Sequence, residues 1–268
     1  MRKTAVLEIT RKALWDQRKN LLGWAIGLAG ATFIYTGVYG IFDPTEFDSI
    51  VESLPEEFLE AFGWDNFASP SGYLGSTVYG LVIPILTVVF AIAFGTRLLA
   101  ADEEAGTLEL TATCPVSRIS LVLQRVMAVA VACFGMATVV FAVVALLSGP
   151  VSLNVPLENI LAASFQLAML ALVFGSLAVA IGGFIGRRGL VIGAAAAVAV
   201  VSYFGSTIVP QISGLAWFQN FSVFYYYGGA TVLEEGFAAG NALILIGLSV
   251  VFVAVAAFGF NRRDIGTA

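Results

Sequence analysis

Apolar residues gather into six long runs: Leu21–Ile41, Val78–Ala100, Leu121–Leu147, Ile160–Ile185, Leu190–Val209 and Ala242–Phe260. Each has about the length, roughly 20 residues, that a helix needs to cross a hydrocarbon core about 30 Å thick. No Asp or Glu lies within the core of any run. The polar residues inside them are mild: Thr87, Gln124, Thr138, Ser164, Gln166, Ser176, Ser202 and Ser206. The pattern predicts an all-α polytopic membrane protein with six transmembrane helices, an N-terminal interfacial helix and short extracellular helices. Residues 1–20 form the interfacial element and residues 21–268 one transmembrane domain.

The stretches between the runs have patterns of their own. In residues 4–19, Val6, Leu7, Ile9, Leu14 and Trp15 alternate at helical spacing with Arg11, Lys12, Asp16, Arg18 and Lys19. This predicts an amphipathic helix on the membrane surface, its basic face toward lipid headgroups and Trp15 at the boundary. Residues 42–77 carry two helix-start signatures, Asp43-Pro44 with Glu46 and Ser53 with Pro55-Glu56, and an apolar face from Phe47 to Phe62. Two short amphipathic helices are expected there. Residues 210–241 crowd Trp217, Phe218, Phe221, Phe224, Tyr225, Tyr226 and Tyr227 among Pro210, Gly214, Gly228 and Gly229. That composition suits a broken, partly re-entrant segment buried in protein, as well as a simple aromatic belt. Trp217, Phe218, Phe221, Phe224 and Tyr225 are the candidate outer gate. The glycine pairs Gly23/Gly27, Gly182/Gly186 and Gly189/Gly193 permit close helix contact.

Charge orients the runs. All 13 Lys and Arg fall at the N-terminus, near the second and fourth loops, or after the last run; the first, third and fifth loops have none. By the positive-inside rule both termini are cytoplasmic, as expected of a multi-pass plasma-membrane protein. The outer loops hold 11 of the 18 acids, a surface that suits a high-salt habitat or attracts cations. Arg97 and Arg125, near the inner ends of their runs, are expected to snorkel. The charged N-terminal stretch leads into a full-length span, so no signal peptide is expected. Cys114 in a cytoplasmic loop and Cys133 inside a span are not expected to pair.

With 59% hydrophobic residues and six spans, little chain is left for a soluble catalytic domain. The absence of His removes the usual general base and most zinc sites. Lysine occurs at positions 3, 12 and 19 alone, so there is no Gly-x-x-x-x-Gly-Lys phosphate loop. No catalytic residue, metal site or cofactor is expected on this chain. The basic residues flank membrane spans, and no nucleic-acid partner is expected.

The loop between the second and third runs reads Asp102-Glu103-Glu104-Ala105-Gly106-Thr107-Leu108-Glu109-Leu110, then Pro115-Val116-Ser117-Arg118. Its acids favour a helix start, Pro115 a stop, and Ser117 an N-cap for the third span. This loop resembles the inner loop of ABC-2 type permeases, the membrane subunits of a class of ATP-binding-cassette exporters. The basic N-terminal helix, six spans, aromatic outer segment and Arg262-Arg263-Asp264 ending agree with that family. Leu54-Pro55-Glu56-Glu57 and Ser69–Leu74 are similar to prokaryotic members associated with drug or antibiotic export. The resemblance implies a partner ABC ATPase that binds ATP and Mg²⁺, a second permease subunit, and spans two and five as lining and pairing elements. It also implies an ATPase-coupling role for Asp102, Glu103, Glu104, Gly106, Thr107, Glu109, Pro115 and Arg118. Hydrophobic or amphipathic cargo fits the uncharged spans. An energy-independent carrier or channel, and a non-transporting scaffold, are the alternative classes.

Overall fold

The computed structural model describes residues 8–41, 69–101, 104, 117–212 and 214–262. The two helices expected within residues 42–68 lie outside the described residues. The first helix, α1 (Glu8–Asp16), is amphipathic and ends at Gln17, where the chain turns into α2 (Arg18–Val38), the first span. Arg18 and Lys19, expected on the interfacial helix, therefore stand in the first turn of the span.

The second span runs Pro70–Ala100, beginning eight residues before the hydropathy boundary at Val78. Ser69 accepts the Gly72 amide at 3.0 Å and Pro70 occupies the first turn, so the helix start is capped. Ser71, Gly72, Gly75 and Ser76 are too small and polar to register in an apolar sum. The span is not uniform. It comprises α3 (Pro70–Thr77), a π-helical turn (Val78–Val82), α4 (Ile83–Thr96) and a second π turn (Arg97–Ala101). The first π turn ends two residues before Pro84, whose ring cannot fit an undistorted α register and has no N–H to donate.

The remaining spans are α5 (Arg118–Ser148), α6 (Leu157–Phe184), α7 (Arg188–Thr207) and, after an irregular segment, α10 (Ala239–Arg262). Ser117 caps α5 by accepting the Ser120 amide at 3.2 Å, as its position before the span predicts. Between α7 and α10 lie 3₁₀ turns at Val209–Gln211 and Ala216–Phe221, then α8 (Val223–Tyr227) and α9 (Gly229–Glu235). There is no β-strand among the described residues.

The α6 helix forms the centre of the bundle. In its most apolar window 78% of residues are buried, against 61% for the second span, 22% for α7 and 17% for α2. Phe90, Phe94 and Leu99 of the second span and Leu167, Leu170 and Phe174 of α6 are fully buried in one apolar core. In lipid no water is expelled by such contacts, so close packing must supply the stabilisation. Gly95 and Gly175 make the packing close. A β-carbon on Gly95 would stand 2.6 Å from the Gly175 carbonyl oxygen, and one on Gly175 would stand 2.5 Å from a Val129 methyl. The peripheral spans expose apolar side chains instead, such as Ile26 and Phe33 on α2 and Val198, Val201 and Phe204 on α7.

Candidate functional site

The polar contacts gather at the two ends of the bundle. The basic end is organised around Gln124, one and a half turns into α5. Its side-chain carbonyl accepts the Ile9 amide at 3.3 Å, and its backbone carbonyl accepts the Thr10 hydroxyl at 2.9 Å. Its amide nitrogen donates to Ser120 Oγ at 3.2 Å. Helix α1 is thus seated on the third span. Gln17, at the bend between α1 and α2, accepts from Arg97 Nη1 at 2.9 Å. The second π turn is thereby joined to the same corner.

Arg125 departs from expectation. It is 4% exposed, buried inside the protein rather than snorkelling outward. Helices α1 and α2 pack on α5, and α1 is bonded to the adjoining Gln124, which encloses Arg125. Arg97 is half-buried and engaged with Gln17. Of the interfacial residues, Arg11, Lys12 and Trp15 are exposed on α1. Arg18 lies 4.4 Å over the Trp15 ring and donates to its carbonyl at 2.9 Å, which holds the indole beside the start of α2.

Asp102, Glu103, Gly106, Thr107, Glu109 and Pro115 of the candidate coupling loop lie outside the described residues. Glu104 and Arg118 are described, and both are exposed. Glu104 Oε1 accepts the backbone amide of Arg188 at 2.8 Å. A carboxylate from the loop after the second span therefore caps the start of α7, where the helix dipole favours negative charge.

The opposite end is built on the irregular segment after α7. Its 3₁₀ turn Ala216–Phe221 rests on α7. Trp217, Phe218 and Phe221 meet in edge-to-face and tilted pairs with centroids 6.0–6.4 Å apart. The candidate gate residues separate into two groups. Phe224 is buried against Phe174 and Tyr203. Trp217, Phe221 and Tyr225 are exposed, Phe221 by 75%, and Phe218 is half-buried. Phe218 and Phe221 line an apolar groove of about 350 Å³ with Ala197, Val198, Val201 and Ser202 of α7.

Hydroxyls hold this segment. Ser202, well inside α7, accepts the Val223 amide at 2.8 Å, and Ser222 donates to the Ser202 carbonyl at 2.6 Å. Ser202 precedes the end of α7 by five residues, or about 7 Å of helix rise. The start of α8 therefore dips below the end of the span, which agrees with a re-entrant path. At the other end of α8, the Tyr227 hydroxyl donates to the Tyr79 carbonyl at 2.9 Å, and the Tyr79 hydroxyl pairs with Ser164 at 2.8 Å. Gly228, at φ 54°, makes the left-handed link from α8 to α9 that a side chain would strain. Tyr79, Ser222 and Gln17 carry no distinguishing sequence signal. Gln124, Ser164 and Ser202 are visible as polar residues within apolar runs, but their partners are not.

Six helices long and apolar enough to cross a membrane, with polar clusters at both ends of the bundle, define a polytopic α-helical membrane protein. The chain belongs to the ABC-2 family of transporter proteins: the model of that family, described as ABC-2 family transporter protein, matches residues 7–265. That span bears out the family resemblance read from the inner loop. No curated protein matches the chain.

Proposed function

We propose that this protein is the permease subunit of an ATP-driven exporter that moves a hydrophobic or amphipathic molecule outward. A separate ABC ATPase, carrying ATP and Mg²⁺, supplies the energy. Two permease subunits enclose the path, with the basic end in the cytoplasm of a plasma-membrane-embedded complex. The family assignment supports an ATPase partner, and the one-sided Lys and Arg support the orientation.

The observation that carries the coupling reading is the bond from Glu104 to the Arg188 amide. The loop that would meet the ATPase is joined by a charge-assisted hydrogen bond to the first turn of α7. Beside it, Gln124 and Arg97 join α1 to the third and second spans. A push on that loop would reach α7, a peripheral span whose apolar face bears the groove at the other end. The apolar spans suit apolar cargo, because a desolvated charge in lipid is costly, and the buried Arg125 stands near one end of α5 rather than mid-span.

The test is affinity purification of the full chain with its native membrane partners, followed by ATPase assay. The expected result is a soluble ATPase that co-purifies, and loss of its stimulation in a Glu103→Lys/Glu104→Lys variant that still inserts. Recovery of the permease without an ATPase, or unchanged stimulation in the variant, would refute the coupling role.

A further inference from the structure

The re-entrant segment is held at two places of unlike character. At the first, Ser202 and Ser222 share a compact set of bonds. The Ser222 hydroxyl donates to the Ser202 carbonyl and accepts the Phe224 and Tyr225 amides at 3.1 and 3.3 Å. Ser202 Oγ accepts the Val223 amide and lies 3.1 Å from Ser222 Oγ. At the second, the chain Tyr227–Tyr79–Ser164 ties the end of α8 to the second span and α6.

We propose, resting on the export reading above, that Ser202 is a catch that releases while Tyr227–Tyr79–Ser164 is the fixed end about which α8 swings. Two differences between the sites carry this. The first is what each leaves behind when it opens. If Ser202 withdraws, Ser222 still caps α8 through the Phe224 and Tyr225 amides. Ser202 can then donate to its own helix four residues back, as Thr87 does to Ile83 and Ser249 to Leu245. If Tyr227 withdraws, the Tyr79 carbonyl loses its donor. Pro84 stands five residues on, where the π register would place an N–H, and proline has none. An unpaired carbonyl in an apolar interior costs far more than an exchanged hydrogen bond.

The second difference is room. The 350 Å³ groove opens beside Ser202 and Ser222. Tyr79 and Tyr227 are buried, and the cavity beside Gly228, Thr231 and Val232 at their end is about 180 Å³, half the size. Next to them Gly75 of the second span meets Ala230 of α9 so closely that a β-carbon on Gly75 would stand 2.9 Å from the Ala230 β-carbon. The exposed aromatic residues Phe221 and Trp217 therefore sit on the end that moves, and α9 on the end that stays. Opening at Ser202 widens the groove on α7 and leaves the second span and α6 in contact with the segment.

Hydrogen exchange of the full chain in nanodiscs of phosphatidylethanolamine and phosphatidylglycerol tests this without cargo or ATPase. Its failure would thus be separate from failure of the export reading. In the unsubstituted protein, the amides of Val223–Tyr225 should exchange about tenfold faster than those of Val232 and Gly236 in and after α9. Ser202→Ala removes the acceptor of the Val223 amide and of a longer contact from the Phe224 amide; it should speed exchange at residues 223–225 by at least about fivefold and leave residues 229–236 unchanged. Tyr227→Phe should speed both regions. Slower exchange at 223–225 than in α9, or a common rate for the two, overturns the proposal, and this ordering needs no variant. Ser202→Ala with unchanged exchange at 223–225 also overturns it.

Discussion

Replacing Gly95 by alanine separates close packing from the other sources of stability in this bundle. The new β-carbon would lie 2.6 Å from the Gly175 carbonyl oxygen, whereas ordinary contact begins near 3.4 Å. Both groups are helical backbone, so no side chain can rotate away, and the second span and α6 must part by about 0.8 Å. A gap of 0.5–1 Å forfeits about a quarter to a half of each atom pair's attraction of about 0.1–0.2 kcal/mol. Over the few tens of pairs in a helix crossing this comes to about 1–3 kcal/mol, the usual range for an overpacked site. Alanine's better helix propensity returns at most about 1 kcal/mol. Gly193→Ala is the control, because nothing lies within 4 Å of its added β-carbon. Thermal unfolding in one detergent should place Gly95→Ala below the unsubstituted protein and Gly193→Ala at or above it. Equal midpoints for the two variants would refute the reasoning, since they differ in contact and not in chemistry.

Three further outcomes are expected. Thr10→Val removes the hydroxyl donated to the Gln124 carbonyl and should loosen α1 by about 1 kcal/mol; amide exchange across residues 8–16 should rise while α5 is unaffected. The Cys133 thiol is fully buried in α5, so maleimide should leave it unmodified in the folded protein and label it after denaturation; rapid labelling in the native state would contradict the packing of α5. In a cysteine-free background, Ser49→Cys should react with an impermeant thiol reagent from outside the cell; labelling solely from the cytoplasmic side would overturn the proposed orientation.

Hydropathy made the six spans and the one-sided charge legible, because crossing a membrane is a requirement on length and composition within one stretch of chain. Local caps were legible for the same reason: Ser117 needs no distant partner to start α5. Which span occupies the centre was not. The sixth span, α10, has the highest mean hydropathy at 2.7 but is 28% buried in its apolar window, whereas α6 at 2.3 is 78% buried. Lipid and protein interior are equally apolar, so a sequence that satisfies one satisfies the other. The tertiary structure alone decided that Arg125 is enclosed, that Gly95 meets Gly175, and that Glu104 caps α7. It also brought together Tyr79 and Tyr227, 148 residues apart in the chain. Each of these is a relation between helices. A hydroxyl or a missing β-carbon acquires its role from the backbone opposite, and that neighbour is set by how the whole bundle packs.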